Sequence, residues 1–431
     1  MPFGLFRSQQ TPILADFGSS GVKLLQVSPG ATPTVTAAAF IAFDDELRAQ
    51  TLEQRFACIA AQLPNVLKTS GFRGNRVVVA PFSQHMLVQH VAVALADADR
   101  ADSVVGTQIA IGLGCDPQNL VVRTSRVCET TRDGQPKVEL LAFAMSRDDV
   151  MRYVQLFAGA KLKVVGVHGE ISALVHAFDH VNRRVEDTSV TTMYIDLGYS
   201  GTKVAISHGP QTVFAKSIAI AGRTFDARIA ESRSISLANA RALRLAEGVR
   251  PVRARQPQAP TAVVAPTEAM GGIPSASQAS ATSPQAASAE VLPAIFRAGF
   301  AQEQALINER RAGAPAPALG SPLPEATQRS VAVDCRETLE SLCDELGMCT
   351  RYYGGLFRER RIDRVVFLGG EARDIGLCQA LAASLRIPAK AGDPMARFLS
   401  NGTAPEGLPE PNAAHPGWAV ACGLAAAPTD L

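Results

Sequence analysis

Aromatic residues are scarce, with one Trp, five Tyr and 18 Phe in 431 residues. An excess of either charge is also missing: 42 basic residues stand against 40 acidic ones, for a net charge of +2. That balance gives no field for a nucleic-acid backbone, whose binding rests on phosphate neutralisation. No run approaches the ~18 consecutive apolar residues of a membrane span. The first ten residues contain Arg7 but no apolar stretch of signal-peptide length. The expectation is a cytoplasmic chain with no span of its own, which needs a partner to hold it at a membrane. The eight cysteines show no Cys-x-x-Cys spacing and form no ligand-like cluster with the seven histidines. That excludes a zinc or dithiol motif and fits reduced cytosolic thiols.

Apolar residues make up 47% of the chain, enough for a sizeable core and too many for a wholly disordered protein. The exception lies between Pro251 and Ser330, which hold 11 of the 27 prolines amid Ala, Ser and Gln. Such a segment buries too little to offset its ordering entropy, so a disordered insertion is expected over 251–330. Within it, Ala289 to Arg311 carries Val291, Leu292, Ile295, Phe296, Phe300, Leu306 and Ile307 at helical spacing.

On either side, strands and helices alternate. Residues 12–17 and 21–27 read as a hairpin and Thr34 to Phe43 as a third strand; Leu52 to Leu67 reads as a helix and Val77 to Ala80 as a buried strand. Ser146 reads as the cap of a helix running to Ala158. Lys163 to Val167 follows as a strand and Ile171 to Val181 as a helix. At Thr191 the order restarts, with strands over 192–197, 203–207 and 212–220 and a helix opening near Gly222. The domain expectation is a first lobe (1–82 and 141–188), a small α/β subdomain inserted at 83–140, and a second lobe (189–250 and 331–431).

The repeat carries the chemistry. Asp16-Phe17-Gly18-Ser19-Ser20-Gly21-Val22-Lys23 and Asp196-Leu197-Gly198-Tyr199-Ser200-Gly201-Thr202-Lys203 both read Asp-x-Gly-x-Ser-Gly-x-Lys. A Gly-rich hairpin turn lets backbone N–H groups approach phosphate oxygens, and the serines add donors. The Asp ending each first strand can hold Mg²⁺, usually through water. Two such turns face to face would clamp a triphosphate. A third element, Arg364 to Arg373, runs from an apolar strand into Gly369-Gly370. It continues into a helix with Ile375, Leu377, Leu381 and Leu385 on its apolar face. The glycines permit close approach to a flat ring, and Arg373 could stack on it.

This order of phosphate hairpin, connecting helix, second hairpin, Gly-Gly turn and C-terminal helix resembles the actin-like ATPases. Within them it is most similar to the PilM family of type IV pilus assembly proteins. The start (Phe3 to Phe6, then Leu14 to Val27), Phe214 to Ile229 with Ala221-Gly222-Arg223-Thr224-Phe225, Lys163 to Val181, and Gly417 to Ala425 carry that likeness. The resemblance implies an α/β actin-like fold of two lobes, each a mixed sheet flanked by helices, with ATP and Mg²⁺ in the cleft. It places Asp16, Gly18, Ser19, Ser20 and Lys23 at the first phosphate loop. Asp196, Gly198, Ser200 and Gly201 fall at the second, with Gly222 after it, and Gly369, Gly370 and Arg373 at the adenosine. Asp16 and Asp196 would serve the metal. Glu170 would stand near the Mg²⁺ and the attacking water; the alternative is an acid at a helix N-terminus favoured by the macrodipole.

The resemblance also implies a partner, the cytoplasmic N-terminal tail of a PilN-like membrane protein, bound by the lobe with the small subdomain. Other pilus platform or motor proteins are further candidates. The chain would then be peripheral at the inner membrane, with slow hydrolysis at most. Ala240-Arg241-Ala242-Leu243-Arg244 departs from the family's Ala-Glu-x-x-Lys-like helix, so an acid for a ribose hydroxyl is missing there. The basic run of Arg228, Arg233, Arg241, Arg244, Arg250, Arg253 and Arg255 reads either as a solvated face or as contact with an acidic partner or lipid surface. Two alternatives share the fold. A small-molecule kinase needs a carboxylate base, for which Glu170 is the single candidate. A division protein like FtsA usually ends in a membrane-targeting amphipathic helix, which Ala425 to Leu431 does not provide.

Overall fold

The computed structural model describes residues 11–28, 33–132, 134–179, 188–249, 331–398 and 414–426. The insertion over 251–330, its expected helix at 289–311, Phe3 to Phe6, and the arginines at 250, 253 and 255 lie outside these residues.

The first lobe opens with β1 (Ile13–Gly18), β2 (Gly21–Val27) and β3 (Val35–Ala42), then α1 (Asp45–Ala49), α2 (Leu52–Thr69) and β4 (Arg76–Ala80). A capping box of Thr51 and Gln54 starts α2. The small subdomain follows as β5 (Leu87–Ala94), α3 (Ala101–Leu113), β6 (Leu120–Arg132) and β7 (Gln135–Ser146). Residue 140 therefore falls inside a strand, because β7 pairs with both β5 and β6 along its length. The chain returns through α4 (Arg147–Gly159), β8 (Lys163–Val167) and α5 (Glu170–His176). Ser146 caps α4, its hydroxyl accepting from the Asp149 N–H. The α5 helix ends at His176, five residues short of the expected Val181, and 180–187 are outside the described residues.

The second lobe holds β9 (Thr191–Leu197), β10 (Thr202–His208), β11 (Gln211–Ile218), α6 (Gly222–Arg233) and α7 (Leu237–Glu247). It continues with α8 (Val331–Asp334), α9 (Arg336–Leu356), β12 (Arg364–Leu368), α10 (Ile375–Leu385), β13 (Ala389–Ala391) and α11 (Ala419–Gly423).

The two sheets have one topology. Strand order is β3-β2-β1-β4-β8 in the first and β11-β10-β9-β12-β13 in the second, each with three antiparallel strands followed by two added in parallel. Both faces are covered, which is why the strands read as near-continuous apolar runs. Ile13, Ala15 and Phe17 pack into a core shared with Tyr153 and Phe157 of α4. Leu14, one residue out of phase, joins the core that holds α5, the second sheet and α11.

Helices α5 and α11 pack on each other beneath the cleft, and α11 also packs on β1 and β2. Their approach is set by Gly423, where a Cβ would overlap the carbonyl of Ala173. The small subdomain also touches the second lobe. The Ala215 N–H of β11 donates to His90 Nε2 at 3.4 Å, and the His90 ring lies 5.2 Å from Phe214 and 5.3 Å from Tyr352. Burial, with Arg132, lowers His90 to about 4, so its ring is neutral and can accept at neutral pH.

Ile375 departs from its expected place. It is 69% exposed, while Leu377 and Leu381 are buried. The Gly370–Arg373 stretch is a 3₁₀ turn and Asp374 caps α10, so Ile375 begins the helix on its outer side.

We expect Gly423→Ala to destabilise the protein by about 3 kcal/mol, because the two helices cannot separate without opening the core. Thermal or urea melting checks this, and Ala426→Ser, at an exposed position, serves as control.

Candidate functional site

The cleft is built by register. Cross-strand pairing sets Asp16 opposite Lys23 and Asp196 opposite Lys203. Each lysine therefore reaches back to its own aspartate, with Nζ to Oδ2 at 3.4 Å in both hairpins. Lys203 goes further: its Nζ lies 2.8 Å from Glu170 Oε2. Glu170 is the first residue of α5, so this bond joins the first lobe's connecting helix to the second lobe's sheet. Burial pushes the Asp16 and Glu170 carboxyls up, and Lys23 and Lys203 pull the other way. Burial also opposes the Lys203 charge, but Glu170, Asp196 and Asp16 outweigh it and hold the ammonium protonated above the usual lysine range.

The turns that carry Ser19, Ser20, Tyr199 and Ser200 are partly open to solvent, whereas the aspartates are buried. The Phe43 N–H donates to the Ser20 carbonyl, which brings α1 alongside the first hairpin. Arg55 is buried and bonds the carbonyls of Leu47 and Arg48, which fixes the end of α1. From there the Arg48 guanidinium lies over the Tyr199 ring at 5.0 Å; Arg241 of α7 lies over the same ring at 5.3 Å. Tyr199 thus carries cation–π contacts from both lobes. Arg48 Nε and Arg241 Nη1 are buried without a hydrogen-bond partner among the described residues. Two unpaired guanidinium N–H groups beside a phosphate-type turn fit an anionic ligand.

The Gly-Gly turn packs tightly on this centre. Gly369 has φ of +88°, and a Cβ there would overlap the Leu197 carbonyl and lie 2.6 Å from Asp196 Oδ1. Gly370 faces open space. Arg373 is exposed, and the inward groups are Glu371 and Asp374. Both bind Arg244, a fully buried side chain. It holds Asp226 at 2.7 Å, Glu371 at 2.6 Å and Asp374 at 3.2 Å. Arg241 pairs with the other oxygen of Glu371 at 2.7 Å. The two arginines of α7 thus share one buried carboxylate, which the Gly-Gly turn supplies. Gly222 stands behind the second hairpin: its N–H already donates to the Gly198 carbonyl, and a Cβ would meet the Glu371 carboxyl at 2.6 Å.

The structure thus gathers Asp16, Lys23, Glu170 and Asp196 with the turn residues Gly18, Ser19, Ser20, Gly198, Ser200, Gly201, Gly369 and Gly370. Arg373 is solvent-exposed, with no partner among the described residues, and Gly222 has a packing contact. Sequence reasoning assigned Lys23 but not Lys203, although the repeat marks both. It had no signal for Arg48 or Tyr199, which meet only through the fold.

The family described as type IV pilus assembly protein PilM matches residues 15–250, more than half of the chain. The chain belongs to the PilM family. Over 96% of this PilM-family chain and 97% of the other, it is similar to a structure of the PilM-PilN type IV pilus biogenesis complex, at 16% identity and a TM-score of 0.63. That likeness establishes the actin-like fold. Weaker likenesses are to the ethanolamine utilization protein EutJ from Carboxydothermus hydrogenoformans (10% identity, 97% and 91% covered, TM-score 0.44) and MreB 5 of Spiroplasma citri bound to AMPPNP (13%, 89% and 92%, 0.36). No curated protein matches the chain. The protein is thus an actin-like component of type IV pilus assembly. No helix among the described residues is long and apolar enough to cross a membrane.

Arg244→Met should lower stability by about 3–5 kcal/mol, since it leaves buried Asp226 and Asp374 without their cation and Glu371 with Arg241 alone. Those carboxyls would then have folded-state pKa values raised above the unfolded ones. The deficit should shrink as pH falls and grow as it rises. Urea melts at pH 5 and pH 8 check the sign. Arg244→Lys keeps the charge but loses the fork, and should fall between the two.

Proposed function

We propose that the chain is an ATP-binding adaptor of a pilus inner-membrane platform, recruited from the cytoplasm by the N-terminal tail of a PilN-like membrane protein. The observation that carries the reading is family membership, together with the likeness along nearly the whole chain to a PilM-PilN complex. For the tail, a cavity of about 420 Å³ supports the small-subdomain side. It is lined by Asp102, Gly106 and Thr107 of α3, Val122 of β6, Gln118, and Arg147 at the head of α4. It therefore lies where the small subdomain joins the first lobe, beside β6, an edge strand of its sheet. An extended tail can pair with such an edge.

For the nucleotide, the two hairpins would receive the phosphates through backbone N–H groups and the Ser19, Ser20 and Ser200 hydroxyls. Arg48 and Arg241 would add their unpaired N–H groups, and Gly370 leaves room for the base. When bound, ATP would add a polyanion between the lobes; no hydrolytic step is needed for an adaptor. The kinase alternative requires a free carboxylate base, and Glu170 is engaged by Lys203. Mg²⁺ fits poorly, because an ammonium already engages each cleft carboxylate.

Calorimetry with synthetic PilN-like tails tests the partner. Micromolar binding is expected, and Thr107→Arg, which fills the cavity, should weaken it about ten-fold. Absence of binding with and without ATP rejects this partner. For the nucleotide, Arg48→Ala and Arg241→Ala should each weaken ATP binding about ten-fold, the scale of a lost charge-assisted hydrogen bond. Unchanged affinity in both would remove them from the site.

A further inference from the structure

We propose that Lys203 is a built-in cation of the cleft, which serves Asp196 and Glu170 as a divalent metal would and makes anion binding at the hairpins independent of metal. The repeat places a lysine in each hairpin, but the two lysines do different work. Lys23 meets one carboxylate, Asp16, and otherwise lies 5.8 Å from the Phe40 ring. Lys203 bridges two carboxylates from different lobes, at 2.8 Å and 3.4 Å. Its side chain is 13% exposed, and Glu170 and Asp196 are each 10% exposed, so the three charges meet nearly dry. In such surroundings an uncompensated carboxylate pair is costly, and one positive centre between them is worth much more than in water.

A divalent ion at this point would have to displace the ammonium or stand beside it, against its charge. The ammonium also supplies what an anionic ligand needs. Asp16, Asp196 and Glu170 would repel a polyphosphate, and Lys203 with Lys23 removes most of that repulsion without a bound ion. The role is tied to side-chain length and register. Only a long cation at position 203 spans from β10 to both Asp196, its cross-strand partner, and the head of α5.

Two measurements on the full chain test this. The first uses no nucleotide and so stands apart from the ATP reading. Added MgCl₂ should leave the melting temperature of the unaltered protein unchanged relative to EDTA. Lys203→Met should gain several degrees from Mg²⁺, because it leaves the carboxylates without a cation, and Lys203→Arg should again be insensitive. The second rests on the ATP reading. The unaltered protein should bind ATP within about three-fold equally in Mg²⁺ and in EDTA, whereas Lys203→Met should lose about ten-fold in EDTA and recover with Mg²⁺.

If the unaltered protein loses ATP on chelation, or Lys203→Met is as metal-insensitive as its parent, the proposal is overturned. If no variant binds ATP, the nucleotide reading fails and the melting series still decides the role of Lys203. Should Lys203→Met fail to fold, Glu170→Gln combined with Lys203→Met removes one charge of each sign. With Asp16 and Asp196 still present, its melting temperature should rise with Mg²⁺; no rise overturns the proposal.

Discussion

Lys203 reaches from a strand of the second lobe to Glu170 at the head of a helix that belongs to the first, and its ammonium also faces Asp196. Two lobes that share only a hinge core are free to open about it. Here the cleft above the hinge is crossed by a buried charge, and pulling the lobes apart would leave Glu170 without its partner in a dry site. The penalty for breaking such a pair exceeds the net worth of forming it. The apolar contact of α5 with α11 sets where the lobes pivot, and the ion pair sets how far apart they stand.

Tyr199 repeats the logic at the mouth of the cleft. Its ring takes Arg48 from one lobe and Arg241 from the other. Arg241 is held by Glu371, and Arg244 holds Glu371 from below, so the ring is backed by a chain of charges ending at Asp226 and Asp374. A ligand changes a conformational balance only by binding one state better than another. Lys203 and Tyr199 already join the lobes, so any ligand in the cleft would act on contacts that the protein's own side chains make.

The duplication was legible because it leaves a fixed spacing, and the three antiparallel strands that open each sheet followed from it; the short β13 and the strand order did not. The hairpin residues were legible for the same reason. Arg244 was not. Read along the chain, it is a basic residue on a basic helix, yet its three partners lie at 226, 371 and 374, on elements that only packing brings together. Its neighbour Arg241 reads as the loss of an acid. In space Arg241 pairs with Glu371 of the Gly-Gly turn, a partner 130 positions further along the chain. Ile375 shows the limit of periodicity: a one-turn 3₁₀ segment before the helix shifts which residues face inward. Arg48 and Tyr199 stand 151 positions apart, and no local pattern joins them.

The small subdomain gives the cleft a second point of control. It grows out of the first lobe between β4 and α4, and it also holds the edge strand of the second lobe's sheet through His90 and the Ala215 N–H. Tyr352 of α9 extends the contact, its hydroxyl donating to Glu139 at 3.3 Å, while Arg132 holds the other oxygen of that carboxylate at 2.8 Å. Because His90 is neutral in this setting, its ring nitrogen can accept, and the edge strand gains a partner for an N–H that would otherwise be orphaned. The lobes are therefore tied at four places: the α5–α11 contact, the Lys203 bridge, the Tyr199 ring and the subdomain.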